Sequence, residues 1–218
     1  MKSTIRSSNG QFVVTLPLKK SPDVLGNSFE MAKSRFFSLE RRFERDANFK
    51  ALYVDFMEEY IKLGHMTPIQ TPVSHPHYYF CHHGILKESS TTTKLRAVFD
   101  GSAATTSGKS FNDIQMIGPT VQDDLLTILL RFRQHKYEVT ADIEKMYRFV
   151  WVNDEQRALQ LVLWRPDSTQ SLKTYTLNTL TYGSAIAPYL ATRCLVQLTH
   201  DNTDDNIKQS ILHDFYVD

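Results

Sequence analysis

Tyr137-Glu-Val-Thr-Ala-Asp142-Ile-Glu-Lys-Met-Tyr147-Arg-Phe-Val-Trp-Val152 is the stretch on which the reading of this chain turns. Tyr137, Val139, Ala141 and Ile143 alternate with Glu138, Thr140 and Asp142, the period of a strand with one buried face and one face turned to something polar. The spacing predicts a strand over 137–143 with Asp142 on its polar face, a short turn over Glu144 to Arg148, and a second apolar strand reaching Val152. A carboxylate at a strand end beside a tight turn is rigidly held and faces solvent, which suits a metal ligand or an acid/base group. It equally suits an aspartate that only starts a turn, and within this segment the turn is the commoner reason for an aspartate.

The later part of the chain changes that balance. Ile211-Leu-His-Asp-Phe-Tyr-Val-Asp218 reads as another short apolar strand that ends on an aspartate. Between the two lies Leu180-Thr-Tyr182-Gly183-Ser-Ala-Ile-Ala-Pro188, followed by a helix predicted from about Pro188 to His200, with proline tolerated in its first turn. Asp142 in D-x-x-x-x-Y, then the Gly183 loop, then Tyr216-Val-Asp218 resemble, in that order, the palm motifs of reverse transcriptases. The resemblance is closest to the RNA-directed DNA polymerase domain of BEL/Pao-type LTR retrotransposons and reaches over nearly the whole chain. L-P-x-K from Leu16, L-G-N-S from Leu25, S-L-E-R-R from Ser38 and Y-x-x-x-G-H from Tyr60 look like the segment that precedes the polymerase core in those elements.

The resemblance implies an α+β fold of fingers and palm, with an antiparallel palm sheet backed by helices. Its implied divisions are 1–66 for the strand and helices before the core, 67–136 for fingers and connecting helix, and 137–218 for the palm. It implies template-directed addition of dNTPs to a primer 3′ end on RNA or DNA. Asp142 and Asp218 are the implied catalytic carboxylates and, with Ile143, the implied ligands of two Mg²⁺ ions, which Mn²⁺ could replace. Arg96, in Arg96-x-x-x-Asp100, matches the fingers arginine that packs on the incoming nucleotide and touches its phosphates. Lys94 is its nominated companion, although Lys87 is also near. Tyr147 matches the aromatic beneath the nucleotide sugar, where a ring would collide with a ribose 2′-hydroxyl. Without the resemblance it reads as a core tyrosine. Gly183 would let the backbone approach the substrate. Tyr182 stands where many retroviral enzymes have glutamine, which leaves its template or nucleotide contact open.

The family usually has a second aspartate directly after the one at 218, where this sequence stops. A fragment of a longer polyprotein is therefore expected, inactive or very weak alone, whose other parts would be thumb, ribonuclease H and integrase. The implied location is the cytoplasm, in virus-like particles. A catalytically inactive nucleic-acid-binding remnant and a purely structural domain remain as alternatives, the first losing metal dependence, the second losing nucleic-acid binding as well.

Composition supports a packed soluble chain: 218 residues, 41% hydrophobic, with net charge +1. Residues 1–50 hold ten Lys/Arg against five Asp/Glu, and 151–218 hold five against eight. That asymmetry fits a phosphate-tracking surface leading to a carboxylate site, and equally a solvated helix face. Cys81 and Cys194, without a C-x-x-C pair, indicate neither a disulfide framework nor structural zinc, and fit a reducing compartment. No apolar run approaches a membrane span and the first residues lack a secretory signal core.

Elsewhere, Gly10 to Pro17 reads as a short strand stopped by proline. Ser28 is placed to cap a helix with Phe29, Ala32, Phe36, Leu39 and Phe43 on one side and Arg35, Arg41, Arg42 and Arg45 on the other. A second helix runs from Phe49 to Ile61 and stops at Gly64. His75, His77, Cys81, His82 and His83 do not form a metal set, because Pro72 and Pro76 break a helix and a strand would split the ligands between faces. A strand from Tyr78 to Leu86 is predicted instead, with the histidines partly exposed. It pairs through a polar turn with a strand presenting Lys94, Arg96 and Val98 on one face, which without the resemblance is an ordinary exposed hairpin. Thr120-Val-Gln-Asp123 has the form of a capping box for a helix rich in leucine. Asp123-Asp124 and Asp204-Asp205 read as helix-start acids. Leu159, Leu161 and Leu163, then Tyr175 and Leu177, predict a hairpin around Pro166-Asp167-Ser168.

Overall fold

Apolar residues at helical spacing build two long helices, α1 (Phe29–Arg45) and α2 (Ala47–Lys62), in the computed structural model, which describes residues 4–70, 73, 76–87 and 94–217. α1 buries Ala32, Phe36, Leu39 and Phe43 and leaves its four arginines in solvent; α2 buries Phe49, Tyr53, Met57 and Tyr60. The junction is capped by Asp46, whose Oδ1 accepts from the Phe49 N–H at 2.9 Å. At the start of α1 the expected cap is displaced: Ser28 Oγ accepts from Tyr79 N at 2.9 Å, and Asn27 Oδ1 takes the Phe29 N–H at 2.8 Å.

These helices lie over small sheets. β1 (Thr4–Arg6), β2 (Phe12–Val14) and β6 (Val150–Val152) form one, with β2 parallel to β6. β3 (Met66–Pro68), β8 (Lys173–Leu177) and β7 (Leu161–Trp164) form an antiparallel second, in that order. β4 (Cys81–Leu86) and β5 (Leu95–Asp100) pair antiparallel as the third. Among the described residues, four more α-helices follow the β4–β5 hairpin: α3 (Phe111–Ile114), α4 (Leu125–Phe132), α5 (Ala187–Asp201) and α6 (Asp205–His213). The architecture is thus a mixed one of helices and small sheets. Among the described residues no helix is long and apolar enough to cross a membrane.

β7 is buried along its whole length, because α1 covers it and β8 pairs with it. Trp164 at its end meets Phe36, Phe43 and Tyr53 with ring centroids 6.0, 6.4 and 5.7 Å away, a cluster in which each pair adds roughly 1 kcal/mol beyond area burial. Just past it, Arg165 forks onto Glu40 of α1 with two 2.8 Å contacts, and Asp167 meets Lys50 of α2 at 3.0 Å. The expected hairpin around Pro166 is therefore clamped to both helices. Cys81 and Cys194 are free and buried, and burial pushes their thiols up to about 11 and about 12, so neither is a reactive nucleophile at neutral pH.

Several expectations are corrected. No strand forms over 137–143: the segment is irregular, and Tyr137 and Val139 are 82% and 87% exposed. Alternation makes a strand only when a neighbour pairs with its backbone and covers its apolar face, and no described strand lies beside this one. The segment Ile211 to Val217 is not a strand either; Ile211, Leu212 and His213 finish α6, and the residues from Asp214 to Val217 are irregular. The Thr120 capping box is not made. α4 begins later, capped by Asp124, whose Oδ1 accepts from Thr127 N at 3.0 Å. His75 and Asp218 lie outside the described residues.

His82 is not partly exposed but 4% exposed. Its Nε2–H donates to the Leu163 carbonyl at 2.9 Å, so Nδ1 accepts from the Tyr53 hydroxyl at 2.6 Å. Burial lowers its pKa to about 4 from the ordinary value near 6.5, and burial also lowers that of His65. The folded state therefore holds His82 neutral while the unfolded chain takes up a proton as pH falls below 6.5. Stability is expected to fall between pH 6.5 and pH 4, by about 2–3 kcal/mol from this group. Urea unfolding at pH 7 and pH 4.5 measures it, and a flat profile across that window would contradict the buried neutral imidazole.

Candidate functional site

One face of the molecule carries a cleft of about 1580 Å³, open to solvent. Its first wall comes from β5, where strand alternation buries Leu95, Ala97 and Phe99 and turns Arg96 outward, in line with Lys94 just before the strand. Of the two lysines left open by the sequence, Lys94 lines the cleft. The Arg96 guanidinium lies 5.6 Å from the centroid of the Tyr182 ring, a cation on an aromatic face.

The floor is Tyr147, in a single 3-10 turn spanning Met146–Phe149. It is 6% exposed, and its ring centroid lies 4.3 Å from that of Tyr182. Arg96, Tyr182 and Tyr147, far apart in the chain, thus form one stack.

The turn that delivers Tyr147 is anchored to α2 by charge. Lys145 adopts φ +56°, in the left-handed region, and its ammonium pairs with Glu59 and, at 3.2 Å, with Glu144. Arg148 is buried, with its guanidinium 4.1 Å from the Tyr60 ring centroid, 5.1 Å from that of Phe56 and 3.5 Å from the same Glu59 oxygen. One carboxylate on α2 therefore holds two cations of the turn beside Asp142. Sequence reading missed Glu59, which sits among the polar residues of a helix and carries no local signal.

Asp142 and Ile143 line the cleft, with Asp142 exposed. Asp142 makes no hydrogen bond or ion pair to the described residues, which leaves its carboxylate available to a cation. Val217 and Tyr216 line the same cleft, and Gln122 grips Val217 at both backbone groups, donating to its carbonyl at 2.9 Å and accepting from its N–H at 3.0 Å. The structure thus brings Lys94, Arg96, Asp142, Ile143, Tyr147 and Tyr182 to one cleft, while Asp218 lies outside the described residues.

Gly183 follows Tyr182 at φ +97°, and a Cβ there would fall 1.8 Å from the Phe99 carbonyl oxygen. The glycine is needed for close contact with β5.

Among the described residues no group of three or more His, Cys, Asp or Glu side chains converges as a metal site. Of the residues lining the cleft, Asp142 offers a carboxylate and Ile143 a backbone carbonyl, both hard oxygens. Such donors suit Mg²⁺ or Mn²⁺ rather than zinc.

No protein-family model matches the sequence, and no curated protein matches it. Solved structures do. The protease-reverse transcriptase of prototype foamy virus, in its CSH mutant, matches with a TM-score of 0.53 at 18% identity over 72% of this chain. The native form of the same enzyme matches with a TM-score of 0.48 at 19% identity over 68% of this chain. The fold is therefore reverse-transcriptase-like, a likeness of fold alone. The match covers 18% of the mutant foamy virus chain and 17% of the native one.

Proposed function

We propose that this chain is the fingers and palm portion of an RNA-directed DNA polymerase from a BEL/Pao-type retrotransposon, adding dNTPs to a primer on an RNA or DNA template. The observation that carries this reading is the meeting of Arg96, Tyr182, Tyr147 and Asp142 in one cleft of a reverse-transcriptase-like fold. Residues 67–136 act as fingers and 137–218 as palm, with the strand and helices of 1–66 preceding them.

In this reading Arg96 and Lys94 take the triphosphate, the arginine lying on Tyr182 so that its donors point into the cleft. Tyr147 closes the space below the sugar. Asp142, the Ile143 carbonyl and Asp218 would hold two Mg²⁺ ions, which would supply activation of the primer 3′-oxygen and stabilisation of the leaving pyrophosphate. Asp142 is exposed and uncommitted, as such a ligand requires. Basic residues hold template and primer through phosphates, without sequence readout. Thumb, ribonuclease H and integrase regions of the same polyprotein complete the machine, in cytoplasmic virus-like particles.

The test is Mg²⁺-dependent dNTP incorporation on a primed RNA template, by the chain alone and in its full-length polypeptide. Tyr147→Val is expected to raise the ratio of rNTP to dNTP incorporation by roughly tenfold or more, because the ring that excludes a 2′-hydroxyl is gone. Losing a buried ring costs up to about 3 kcal/mol of stability, so the ratio is the quantity to measure rather than the rate. An unchanged ratio in an active variant would remove the selecting role from Tyr147.

A further inference from the structure

α3 is only four residues long, yet Asn112 and Gln115, three apart and on one face, both reach the loop that follows Tyr182. Asn112 Nδ2 donates to the Gly183 carbonyl at 3.0 Å and to Ser102 Oγ at 2.8 Å, while its Oδ1 accepts from the Ala185 N–H at 2.9 Å. Gln115, fully buried, donates through Nε2 to Ser184 Oγ at 2.9 Å. Its Oε1 accepts from the same hydroxyl at 3.0 Å and from the Ile186 N–H at 3.3 Å. Two side-chain amides thereby satisfy the polar groups of residues 183–186 at a point where α5 has Ile186 in its N-cap position and no side-chain cap of its own. On its other side the loop is pressed against the Phe99 carbonyl.

We propose that Asn112 and Gln115 are positioning residues that set nucleotide affinity through the Gly183–Ile186 loop, by fixing the Tyr182 ring between Arg96 and Tyr147. The proposal rests on the polymerase reading above and deepens it. Tyr182 adjoins Gly183, so a loop free to shift carries the ring away from the stack. Arg96 then loses the surface that orients it, and Tyr147 loses the ring packed 4.3 Å from its own.

Asn112→Asp keeps the size and the acceptor for Ala185 but turns the group facing the Gly183 carbonyl from donor to acceptor. Ser184→Ala cuts the Gln115 pair with little change in volume. Asp46→Ala, which removes the α2 cap at a residue that does not line the cleft, serves as the control for general loss of stability. Binding of Mg·dTTP to the 218-residue chain is measured by calorimetry, KM and kcat by primer extension in the full-length polypeptide, and amide exchange at Ala185 and Ile186 by NMR. Both loop variants are expected to weaken dTTP binding by about fivefold or more, raise KM more than they lower kcat, and speed exchange at those amides. The Asp46 variant should do none of these. Wild-type affinity in the loop variants, or an equal effect from Asp46→Ala, overturns the proposal and leaves the polymerase reading standing. No dTTP binding by the wild-type chain and no incorporation by the full-length polypeptide would overturn both.

Discussion

Asp142→Ala is expected to lower Mg²⁺-dependent dNTP incorporation by at least about 10³-fold, equivalent to roughly 4 kcal/mol of transition-state stabilisation. The size follows from the role proposed for the carboxylate. The carboxylate would hold a cation that offsets charge developing as the nucleotidyl bond forms, so its loss would fall on the chemical step rather than on substrate capture. The same substitution should leave the fold nearly untouched. Asp142 is exposed and makes no hydrogen bond or ion pair to the described residues, and changes at such surface positions stay within about 0.5 kcal/mol. The pairing of a large catalytic loss with an unmoved melting temperature is what separates a ligand from a turn-starting aspartate. Full-length polypeptide carrying Asp142→Ala and still incorporating dNTPs at the wild-type rate would end the catalytic assignment.

Gly183→Ala should have the largest effect on the structure of the cleft. An added Cβ meets the Phe99 carbonyl oxygen at 1.8 Å, a backbone atom that cannot swing aside as a side-chain tip would. The residue also sits at φ +97°, a conformation that alanine adopts only under strain. Backbone strain and overlap together predict a loss of about 3 kcal/mol or more, or else a displaced loop that takes Tyr182 out of its stack. Urea unfolding registers the first outcome, and a fall in the affinity for Mg·dTTP registers the second. A variant with an unchanged midpoint and unchanged affinity would show that the loop is not wedged against β5.

Several of the elements that local periodicity announces are found. α1 and α2 follow their apolar stripes, the β7–β8 hairpin forms around Pro166, and α5 starts beside its proline, because in each case the residues that decide the element lie within a few positions of one another. His82 shows the first kind of failure. Its burial is illegible locally because it depends on Tyr53 and the Leu163 carbonyl, 29 and 81 residues away, satisfying both ring nitrogens. The stretch from Tyr137 to Ile143 shows the second: its alternation is a strand pattern without a strand, since pairing is supplied by a neighbour and not by the sequence that alternates.

For the site, the resemblance to reverse transcriptases nominated Arg96, Asp142, Tyr147, Tyr182 and Gly183; read one segment at a time, Arg96 is equally a residue of an ordinary exposed hairpin, Asp142 a turn-starting aspartate and Tyr147 a core tyrosine. Only the tertiary structure decided what holds them. Glu59 reaches Arg148 across 89 positions, Asn112 reaches Gly183 across 71, and Gln122 reaches Val217 across 95. A polar side chain on a helix or loop has many partners of equal merit along the chain, and the one it takes is settled by how the apolar faces of α1, α2 and β7 pack.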